Sequence, residues 1–292
     1  MAILVNADTR LCIQGITGHQ GSFHRGQMKD YGTNIVAGVS PGKGGKEVEG
    51  VPVFNTVAKA REKTACNVSI IFVPAPFCKD AAFEAIDAGI ELVVIISEHI
   101  PVQDAMEVMA FARERGSTVV GPNTFGVITP GQCKVGIMPN RYYKPGEVGV
   151  VARSGTLSYQ IVGDMTLNGI GQSTVVGLGG DRVVGCEFID MLELFEEEPN
   201  TRAIIMIGEI GGTREEEAAR YIKEKMKKPV FAYIAGKSSP PGKRMGHAGA
   251  IIEGNKGTFE SKVTALKEAD VQVAEMPWQL IDMIKKELQK GL

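Results

Sequence analysis

Short apolar runs alternate with amphipathic stretches along almost the whole chain, and this alternation limits the fold more than any other feature of the sequence. In the first half, the runs RLCIQG, NIVAGV, VSIIFVP, LVVIIS and STVVGP predict strands. Between them, CKDAAFEAIDAG and PVQDAMEVMAFARERG predict helices, each followed by a glycine. Strands that alternate with helices are typical of βαβ units, so the pattern predicts an α/β fold built on a parallel sheet.

The alternation stops between residues 121 and 146. This segment, GPNTFGVITPGQCKVGIMPNRYYKPG, is rich in Pro, Gly and Asn. The alternation then resumes with EVGVVA, QSTVVGLGG, RAIIMIG, PVFAYIAG and DVQVAEM, and it ends in the helical PWQLIDMIKKELQKG. The length of 292 residues is about twice the usual single-domain length of roughly 150. We therefore predict two domains, 1–122 and 123–292, each with its own parallel sheet.

Composition excludes several classes of protein. Lys and Arg number 32 against 34 acidic residues, so no broad basic surface is available for nucleic acid. No segment is apolar for long enough to cross a bilayer, and the opening MAILVNADTRLCIQG lacks the layout of a signal peptide. The five cysteines are widely spaced and odd in number, which indicates neither a disulfide framework nor a zinc site. We expect a cytoplasmic protein that binds neither nucleic acid nor membrane.

A glycine loop follows the first predicted strand. In QGITGHQGSF, Gly15, Gly18 and Gly21 are spaced G-x-x-G-x-x-G before a predicted helix. Such a loop lets a diphosphate approach the backbone, and the N–H groups at the helix N-terminus favour its charge. The spacing departs from the G-x-G-x-x-G of dinucleotide-binding proteins, so a plain tight turn remains the alternative.

Lysines stand where the second predicted strand ends. A nicotinamide-binding fold has an acidic residue about 20 residues after the glycines, which binds the ribose hydroxyls. Here the sequence is AGVSPGKGGKEVEG, with Lys43 and Lys46 in glycine-rich backbone and Glu47 as the nearest acid. Cations at this place suit a phosphorylated ribose, such as the 3'-phosphate of coenzyme A or the 2'-phosphate of NADP. The alternative is a solvated lysine loop.

His247 lies among small residues in KRMGHAGAII, so the ring can be reached from several directions. A neutral imidazole is nucleophilic near pH 7, and a carboxylate positions it by fixing the tautomer through the other ring nitrogen. We expect Glu209 in that role because it follows the predicted strand RAIIMIG, at the edge where α/β sheets bind ligands. A histidine in a structural turn is the alternative. No two of the four histidines have the spacing of metal ligands, so we predict no metal site.

Two predicted strand-to-helix junctions could receive the charge of a phosphorylated histidine. VVARSGTLSYQIV presents Ser154, Gly155 and Thr156 at a helix start, where small hydroxyls and free N–H groups bind an anion. IGEIGGTREEEAARY offers a second junction, with Thr213 and Glu216 spaced for a T-x-x-E capping box. Acidic residues already balance the dipole of that second helix, so we favour the first junction as the phosphate site.

Taken together, these motifs resemble the α subunit of succinyl-CoA synthetase (succinate–CoA ligase) over essentially the whole chain. The matching segments, in the order and spacing of that family, are QGITGHQGSFH, SPGKGG, VPAPFCKDAAFEAIDAGI, GPNTFGVITPG, GVVARSGTLSYQ, MIGEIGG and GKRMGHAGAI. The resemblance implies an N-terminal Rossmann-like CoA-binding domain followed by a flavodoxin-like ligase domain. It also implies a separate β subunit of the ATP-grasp type, which binds ATP or GTP and Mg²⁺, in an αβ or α2β2 assembly.

The same resemblance implies roles for individual residues. His247 would take a phosphoryl group from the nucleotide and pass it to the dicarboxylic acid, and the CoA thiol would then displace phosphate, as in the tricarboxylic acid cycle. Glu209 would orient the histidine, Ser154 and Gly155 would hold the phosphate, and Tyr159 would lie at the acid. The implied CoA contacts are Thr17, Gly18, His19, Gln20, Lys43, Ile96, Ser97 and Glu98.

The sequence departs from the family pattern at a few positions. Thr124 and Phe125 replace the usual residues of GPNCPG, Arg182 follows GGD where proline is usual, and His19 stands where a smaller polar residue is frequent. We expect Thr124 and Phe125 near the reacting thioester, so a malate–CoA ligase or another acid–thiol ligase of the same build remains an alternative. A CoA-binding sensor without catalysis, and an NADP-dependent oxidoreductase suggested by the glycine loop and Lys43, also remain open.

Overall fold

The first half of the chain forms a mostly parallel sheet with helices between its strands. A computed structural model describes residues 2–240, 245–252 and 257–290. The strands of the first sheet are β1 (Leu11–Gln14), β2 (Ile35–Val39), β3 (Glu47–Val48), β4 (Val51–Phe54), β5 (Val68–Ile71), β6 (Leu92–Ile95) and β7 (Thr118–Val120). Its helices are α1 (His19–Asp30), α2 (Val57–Thr64), α3 (Ala75–Asp87) and α4 (Val102–Arg115). The sheet order is β3-β4-β2-β1-β5-β6-β7, with β3 and β4 antiparallel.

The second half forms another mostly parallel sheet. Its strands are β8 (Gly126–Thr129), β9 (Cys133–Gly136), β10 (Pro145–Ala152), β11 (Gln172–Gly177), β12 (Ala203–Glu209), β13 (Val230–Ala235) and β14 (Gln272–Ala274). The helices are α5 (Gly155–Leu167), α6 (Phe188–Glu197), α7 (Arg214–Lys225), α8 (Phe259–Glu268) and α9 (Gln279–Gln289). The order is β14-β13-β12-β10-β11-β8-β9, and the β8–β9 hairpin joins antiparallel to β11.

The winding of both sheets confirms the predicted fold class. When the parallel strands alone are numbered along the chain, the first sheet has the order 3-2-1-4-5-6 and the second the order 2-1-3-4-5. These are the doubly wound orders of the Rossmann and flavodoxin folds. The winding reverses between β1 and β5 in the first sheet and between β10 and β12 in the second. Such folds bind ligands at the carboxyl ends of the strands beside these switch points.

Two short hairpins were missed by the sequence prediction. The strands β8 and β9 lie in the Pro- and Gly-rich segment 121–146, and β3 and β4 lie just after the lysine loop. In the first of these hairpins the backbones approach so closely that a Cβ atom on Gly126 would overlap the carbonyl of Val135. Pairing with β11 and this close approach stabilise the hairpin, and local composition signals neither of them.

Polar contacts and a shared apolar core join the two sheets. The hydroxyl of Thr33 donates to the carbonyl of Lys134 at 2.6 Å, and the hydroxyl of Thr129 donates to the carbonyl of Val5 at 2.7 Å. One cluster of buried apolar side chains includes residues from both sheets. Strand β7 ends before residue 122 and β8 begins after it, but contacts cross this point, so the boundary after residue 122 stays a prediction.

The described part of the chain contains neither a helix that could span a membrane nor a metal-binding cluster. No helix within residues 2–240, 245–252 and 257–290 is both long enough and apolar enough to cross a bilayer. The same residues bring no three His, Cys, Asp or Glu side chains into a group that could hold a metal ion. All five cysteines are buried and free, so the fold contains no disulfide bond.

Replacing Lys134 with methionine is expected to stabilise the fold at pH 7. Lys134 is fully buried in β9, which packs against α1, and burial lowers its pKa from 10.5 to about 8. A lowering of this size corresponds to roughly 3 kcal/mol of destabilisation at pH 7. Because Asn140 loses the donor that lies 2.6 Å from its Oδ1, we expect a net gain of about 1–3 kcal/mol in the free energy of unfolding in urea.

The gain should shrink as the pH rises from 8 to 10. Above pH 8 the folded wild-type protein releases the proton of Lys134, whereas the unfolded chain keeps it up to about pH 10.4. The same substitution at Lys286, an exposed residue of α9, serves as the control and should change stability little at any of these pH values. A gain in K134M that is equal at pH 7 and pH 10 would contradict this account.

Candidate active site at the second switch point

Candidate side chains lie at the carboxyl ends of β10 and β12, where the winding of the second sheet reverses. Glu209 is the last residue of β12. Arg153 directly follows β10, and Ser154 is the N-cap residue of α5. The backbone N–H of Arg153 donates to the carbonyl of Ile207 at 3.1 Å, so the parallel ladder continues to the strand ends and holds them side by side.

The imidazole of His247 contacts the carboxylate of Glu209. Nδ1 of His247 lies 2.9 Å from Oε1 and 2.9 Å from Oε2 of Glu209. The ring packs on Gly180, where any Cβ atom would overlap it, and the N–H of Gly249 donates to the carbonyl of Gly180 at 3.0 Å. The imidazole side chain is 26% exposed and the carboxylate 8%, so a buried acid holds a ring that solvent still reaches.

The contact sets the proton chemistry of the ring. The hydrogen bond to Glu209 raises the pKa of His247, burial opposes that rise, and the charge of Glu209 adds to it. In the neutral ring, a carboxylate at Nδ1 favours the tautomer with the proton on Nδ1, which leaves the lone pair on Nε2. The arrangement therefore offers a nucleophilic nitrogen at Nε2.

The first predicted anion site lies at the start of α5. Oγ of Ser154 accepts the N–H of Leu157 at 3.4 Å, Gly155 begins the helix, and Thr156 is exposed. Both Ser154 and His247 belong to the described residues, and no hydrogen bond joins them. Their connection runs through Arg153, whose side chain reaches Glu209. Residues 242–244 of the motif before the histidine lie outside the described residues.

The capping box expected at the second junction is wrong. Thr213 donates its hydroxyl to Glu217 at 2.6 Å, and its side chain caps no backbone N–H of α7. Glu216 instead accepts from the Nζ of Lys262 at 2.9 Å and from the hydroxyl of Ser261 at 2.8 Å. The cation on α8 competes for the glutamate, and this tertiary pairing overrides the local motif.

A row of buried charges runs behind the histidine. Nη2 of Arg153 lies 3.2 Å from Oε1 of Glu209, and its Nη1 lies 3.2 Å from Oε1 of Glu215. Oε2 of Glu215 accepts from Nζ of Lys262 at 2.5 Å. The side chains of Glu215 and Lys262 are fully buried, and that of Arg153 is 2% exposed. The sequence indicates no role for Arg153 or Lys262, and it indicates for Glu215 only that it balances the dipole of α7.

Aromatic side chains close the site beside α5. The rings of Phe125 and Tyr159 meet edge to face with centroids 5.7 Å apart. Phe125 is buried, and its ring lies 3.3 Å from the position of a Cβ atom on Gly155. Burial raises the pKa of Tyr159 to about 12, so its hydroxyl stays protonated. The hydroxyl of Thr124 donates to the carbonyl of Gly177 at 2.6 Å and is thus occupied by the backbone.

Arg182 reaches the loop that carries the histidine. Its Nε lies 3.4 Å from the carbonyl of Ala248. The carbonyl of Arg182 in turn accepts from Nη2 of Arg214 at 2.6 Å. Arg182, which departs from the family pattern, therefore connects the histidine loop with Arg214, the first residue of α7.

The glycine loop lies at the switch point of the first sheet, after β1. Gly18 is the N-cap residue of α1 and makes no side-chain cap, while His19 and Gln20 are exposed at the helix start. A Cβ atom on Gly21 would overlap the carbonyl of Gly15, which explains the third glycine of the motif. The N–H groups at this helix start are thus accessible to an anion.

The side chain of Lys43, in the loop after β2, contacts the glycine loop. Its Nζ donates to the hydroxyl of Thr17 at 2.9 Å, and that hydroxyl lies 3.0 Å from Oγ of Ser40. Beside this group, a cleft of about 510 Å³ is lined by Gln14, Gly15, Val39, Pro41, Val73, Pro74, Phe77, Asp80, Ala81 and Glu84. A cation and an open helix start therefore face the same side of the sheet.

The segment after β6 lies at the same sheet edge. The hydroxyl of Ser97 donates to the carbonyl of Val73, so its side chain is engaged within the protein. Ile96 is half-buried, and Glu98 is exposed with an oxygen 3.5 Å from Nε2 of His99. Of these three predicted contacts, Glu98 is the one whose side chain is exposed to solvent.

Two protein families match separate parts of the chain. Residues 6–99 match the family described as "CoA binding domain", and residues 151–272 match the family described as "CoA-ligase". The fold and these two matches define a CoA ligase.

Individual relatives narrow the class. The chain is 58% identical over 291 residues to the ADP-forming succinate–CoA ligase subunit alpha of Aquifex aeolicus, covering 99% of this chain and 95% of that one. It is 57% identical over 286 residues to the corresponding subunit of Methanothermobacter thermautotrophicus, covering 98% and 97%. The chain belongs to the family of succinate–CoA ligase α subunits.

A solved structure shows the same architecture inside a longer protein. The ATP citrate lyase of Methanothrix soehngenii, in complex with citrate and coenzyme A, superposes with a TM-score of 0.87 at 27% sequence identity. The match covers 99% of this chain and 52% of that one, so the chain spans about half the length of that lyase chain.

Replacing Glu209 with glutamine is expected to lower the pKa of His247, because the charged acceptor is lost while the burial remains. The raised wild-type pKa means that the folded state holds the proton more tightly than the unfolded chain. The contact therefore stabilises the fold below about pH 6.5, and this contribution is lost as the pH rises through the folded-state pKa. NMR titration of the His247 ring measures the change. E147Q, which removes the carboxylate paired with Arg202, is the control, and an unchanged pKa in E209Q would refute the assignment.

Proposed function

We propose that this chain is the α subunit of an ADP-forming succinate–CoA ligase and that His247 carries the phosphoryl group between nucleotide and acid. Succinate, CoA and a nucleoside triphosphate then give succinyl-CoA, the diphosphate and phosphate. The observation that carries the proposal is the 2.9 Å contact of Nδ1 of His247 with both oxygens of Glu209. Membership of the succinate–CoA ligase family supports the overall reaction.

In the first step, the lone pair on Nε2 of neutral His247 attacks the γ-phosphorus of the nucleotide. The N–P bond forms as the bond to the diphosphate oxygen breaks, and the diphosphate leaves with that electron pair. The ring becomes cationic, and Glu209 stabilises it through the proton on Nδ1. We expect the nucleotide and its Mg²⁺ on an ATP-grasp β subunit, which makes the reaction depend on an αβ or α2β2 assembly.

In the second step, a carboxylate oxygen of succinate attacks the phosphorus, and the N–P bond breaks to give succinyl phosphate and free imidazole. The CoA thiolate then attacks the acyl carbon, and phosphate leaves. Ser154, Gly155 and Thr156 at the start of α5 would bind the phosphate, because helix N-terminal N–H groups favour an anion. The same reaction steps can also run in the reverse direction.

The glycine loop would bind CoA. The open start of α1 at Gly18, His19 and Gln20 suits the diphosphate, and Lys43 beside Thr17 suits the 3'-phosphate of the ribose. The residues 96–98 after β6 would flank the thiol arm on the same sheet edge. For phosphorylated His247 to serve both this site and a nucleotide on the partner, its loop must move. The small residues 246, 248 and 249 around it suit such motion.

The five free cysteines support a reducing compartment, and we propose the cytoplasm.

The function is tested by phosphoenzyme formation. The wild-type chain, incubated with a β subunit, Mg²⁺ and labelled ATP, should form an acid-labile, base-stable phosphoryl group on His247. H247A should form none, because the acceptor nitrogen is absent. The exposed His99 provides the matched control, and H99A should be labelled like the wild type. Equal labelling of H247A and the wild type would refute the proposal.

The acid site is the part of the proposal that depends on the departures from the family pattern. Phe125 fills the space between Gly155 and Tyr159 at the start of α5. A buried ring there limits the size of an acid bound beside the phosphate. We therefore propose that the acid substrate is succinate, an unbranched dicarboxylic acid. Malate is the alternative substrate to be tested.

Shortening Phe125 to alanine is expected to relax the choice of acid. A steady-state assay of the reconstituted wild type with succinate, malate and acetate should give the highest kcat/KM for succinate. In F125A the preference for succinate over malate should fall by about 10-fold or more, the scale of discrimination by apolar packing. F83A removes a similar ring, stacked on Phe111 in the first domain, and should keep the preference. A wild-type rate with succinate no better than with malate would overturn the substrate assignment.

A further inference from the structure

The catalytic carboxylate is held in place by a charge that the proposed mechanism does not use. Glu209 is buried at the end of β12, and one of its oxygens, Oε1, lies 3.2 Å from Nη2 of Arg153. Both carboxylate oxygens of Glu209 lie close to Nδ1 of His247. Arg153 and His247 thus contact the same carboxylate, and the guanidinium limits how that carboxylate can turn relative to the ring.

Arg153 is itself fixed from the opposite side. Its Nη1 lies 3.2 Å from Oε1 of Glu215, which is fully buried, and 3.3 Å from the carbonyl of Gly211. Oε1 of Glu215 also accepts the backbone N–H of Glu209 at 3.1 Å. The Glu215 carboxylate therefore fixes the guanidinium of Arg153. It also fixes the backbone of Glu209, the residue that Arg153 pairs with.

Lys262 completes the row. Its Nζ donates to Oε2 of Glu215 at 2.5 Å, to Glu216 at 2.9 Å and to the carbonyl of Gly212 at 3.0 Å. Burial acts to raise the pKa of Glu215, but the charges of Arg153 and Lys262 together outweigh it and lower that pKa. The charges thus alternate from α8 to the imidazole, in the order Lys262, Glu215, Arg153, Glu209 and His247.

We propose that Arg153 is a positioning residue. Through its fork on Glu209 and Glu215, it holds the Glu209 carboxylate aimed at Nδ1 of His247, and so keeps Nε2 free to accept a phosphoryl group. Because Ser154 follows it directly, the same residue sets the position of the helix start that would bind the phosphate. The consequence for phosphorylation rests on the function proposed above, whereas the effect on the ring tautomer does not.

Two variants separate positioning from general stability. R153K keeps the charge, but an ammonium cannot form the planar fork that joins two carboxylates. R25K is the matched control, since Arg25 is equally buried and pairs with Glu49 in the first domain, away from the histidine. The tautomer of His247 is read by ¹⁵N NMR of the full chain, and the rate of phosphoenzyme formation by single-turnover labelling of the reconstituted complex.

In R153K we expect a mixture of ring tautomers and a fall in labelling rate of about 10–100-fold, the scale of the loss when an outer hydrogen-bond partner of a metal-binding histidine is removed. R25K should keep the Nδ1–H tautomer and the wild-type rate even if its melting temperature falls. The proposal is overturned if R153K stays within twofold of R25K, or if its rate falls while the ring keeps the Nδ1–H tautomer. If lysine prevents folding, R153Q is judged by the same two criteria. Failure of the wild type to become labelled would refute the proposed function alone, because the tautomer still tests the positioning.

Discussion

The guanidinium of Arg153 lies between two carboxylates at the carboxyl edge of the second sheet, and the geometry of the histidine depends on that placement. Glu209 and Glu215 are both buried, and without a cation between them their charges would repel at a place where water cannot screen them. With Arg153 in position, each carboxylate can remain an acceptor. The carboxylate of Glu209 can then accept a hydrogen bond from Nδ1 of His247, and the loop that carries the ring packs against this carboxylate.

The winding of the two sheets explains where the chemistry lies. Reversal of the strand order opens a crevice beside β1 in the first sheet and beside β10 in the second, and each crevice receives the start of a helix. The glycine loop lies at the crevice of the first sheet, and the junction at Ser154 lies at the crevice of the second. The histidine comes from a loop rather than from a strand end. The sheet therefore supplies the fixed groups, and the loop supplies the histidine that, in the proposed function, reaches two substrates.

Sequence patterns predicted the long elements and the position of Glu209 at a strand end, because both follow from the regular alternation of a doubly wound sheet. They also predicted its contact with His247, although the histidine lies on a loop. They missed the β8–β9 hairpin, which depends on contacts with β11. They also placed Glu216 in a capping box, whereas Lys262 draws it into an ion pair. Arg153 does carry a signal, since a charged residue directly after the apolar strand VGVVA is costly unless it is paired, but its partners come from distant parts of the chain.

Small residues make the tight fit around the ring possible. A Cβ atom on Gly180 would overlap the imidazole, and one on Gly249 would lie 2.7 Å from Nη2 of Arg153. The ring is thus held on its Nδ1 side by Glu209 and on one face by backbone. A phosphoryl group on Nε2 leaves the proton on Nδ1, so the contact with Glu209 can persist in both states of the ring. The row of charges that fixes Glu209 can therefore stay in place when the phosphoryl group arrives or leaves.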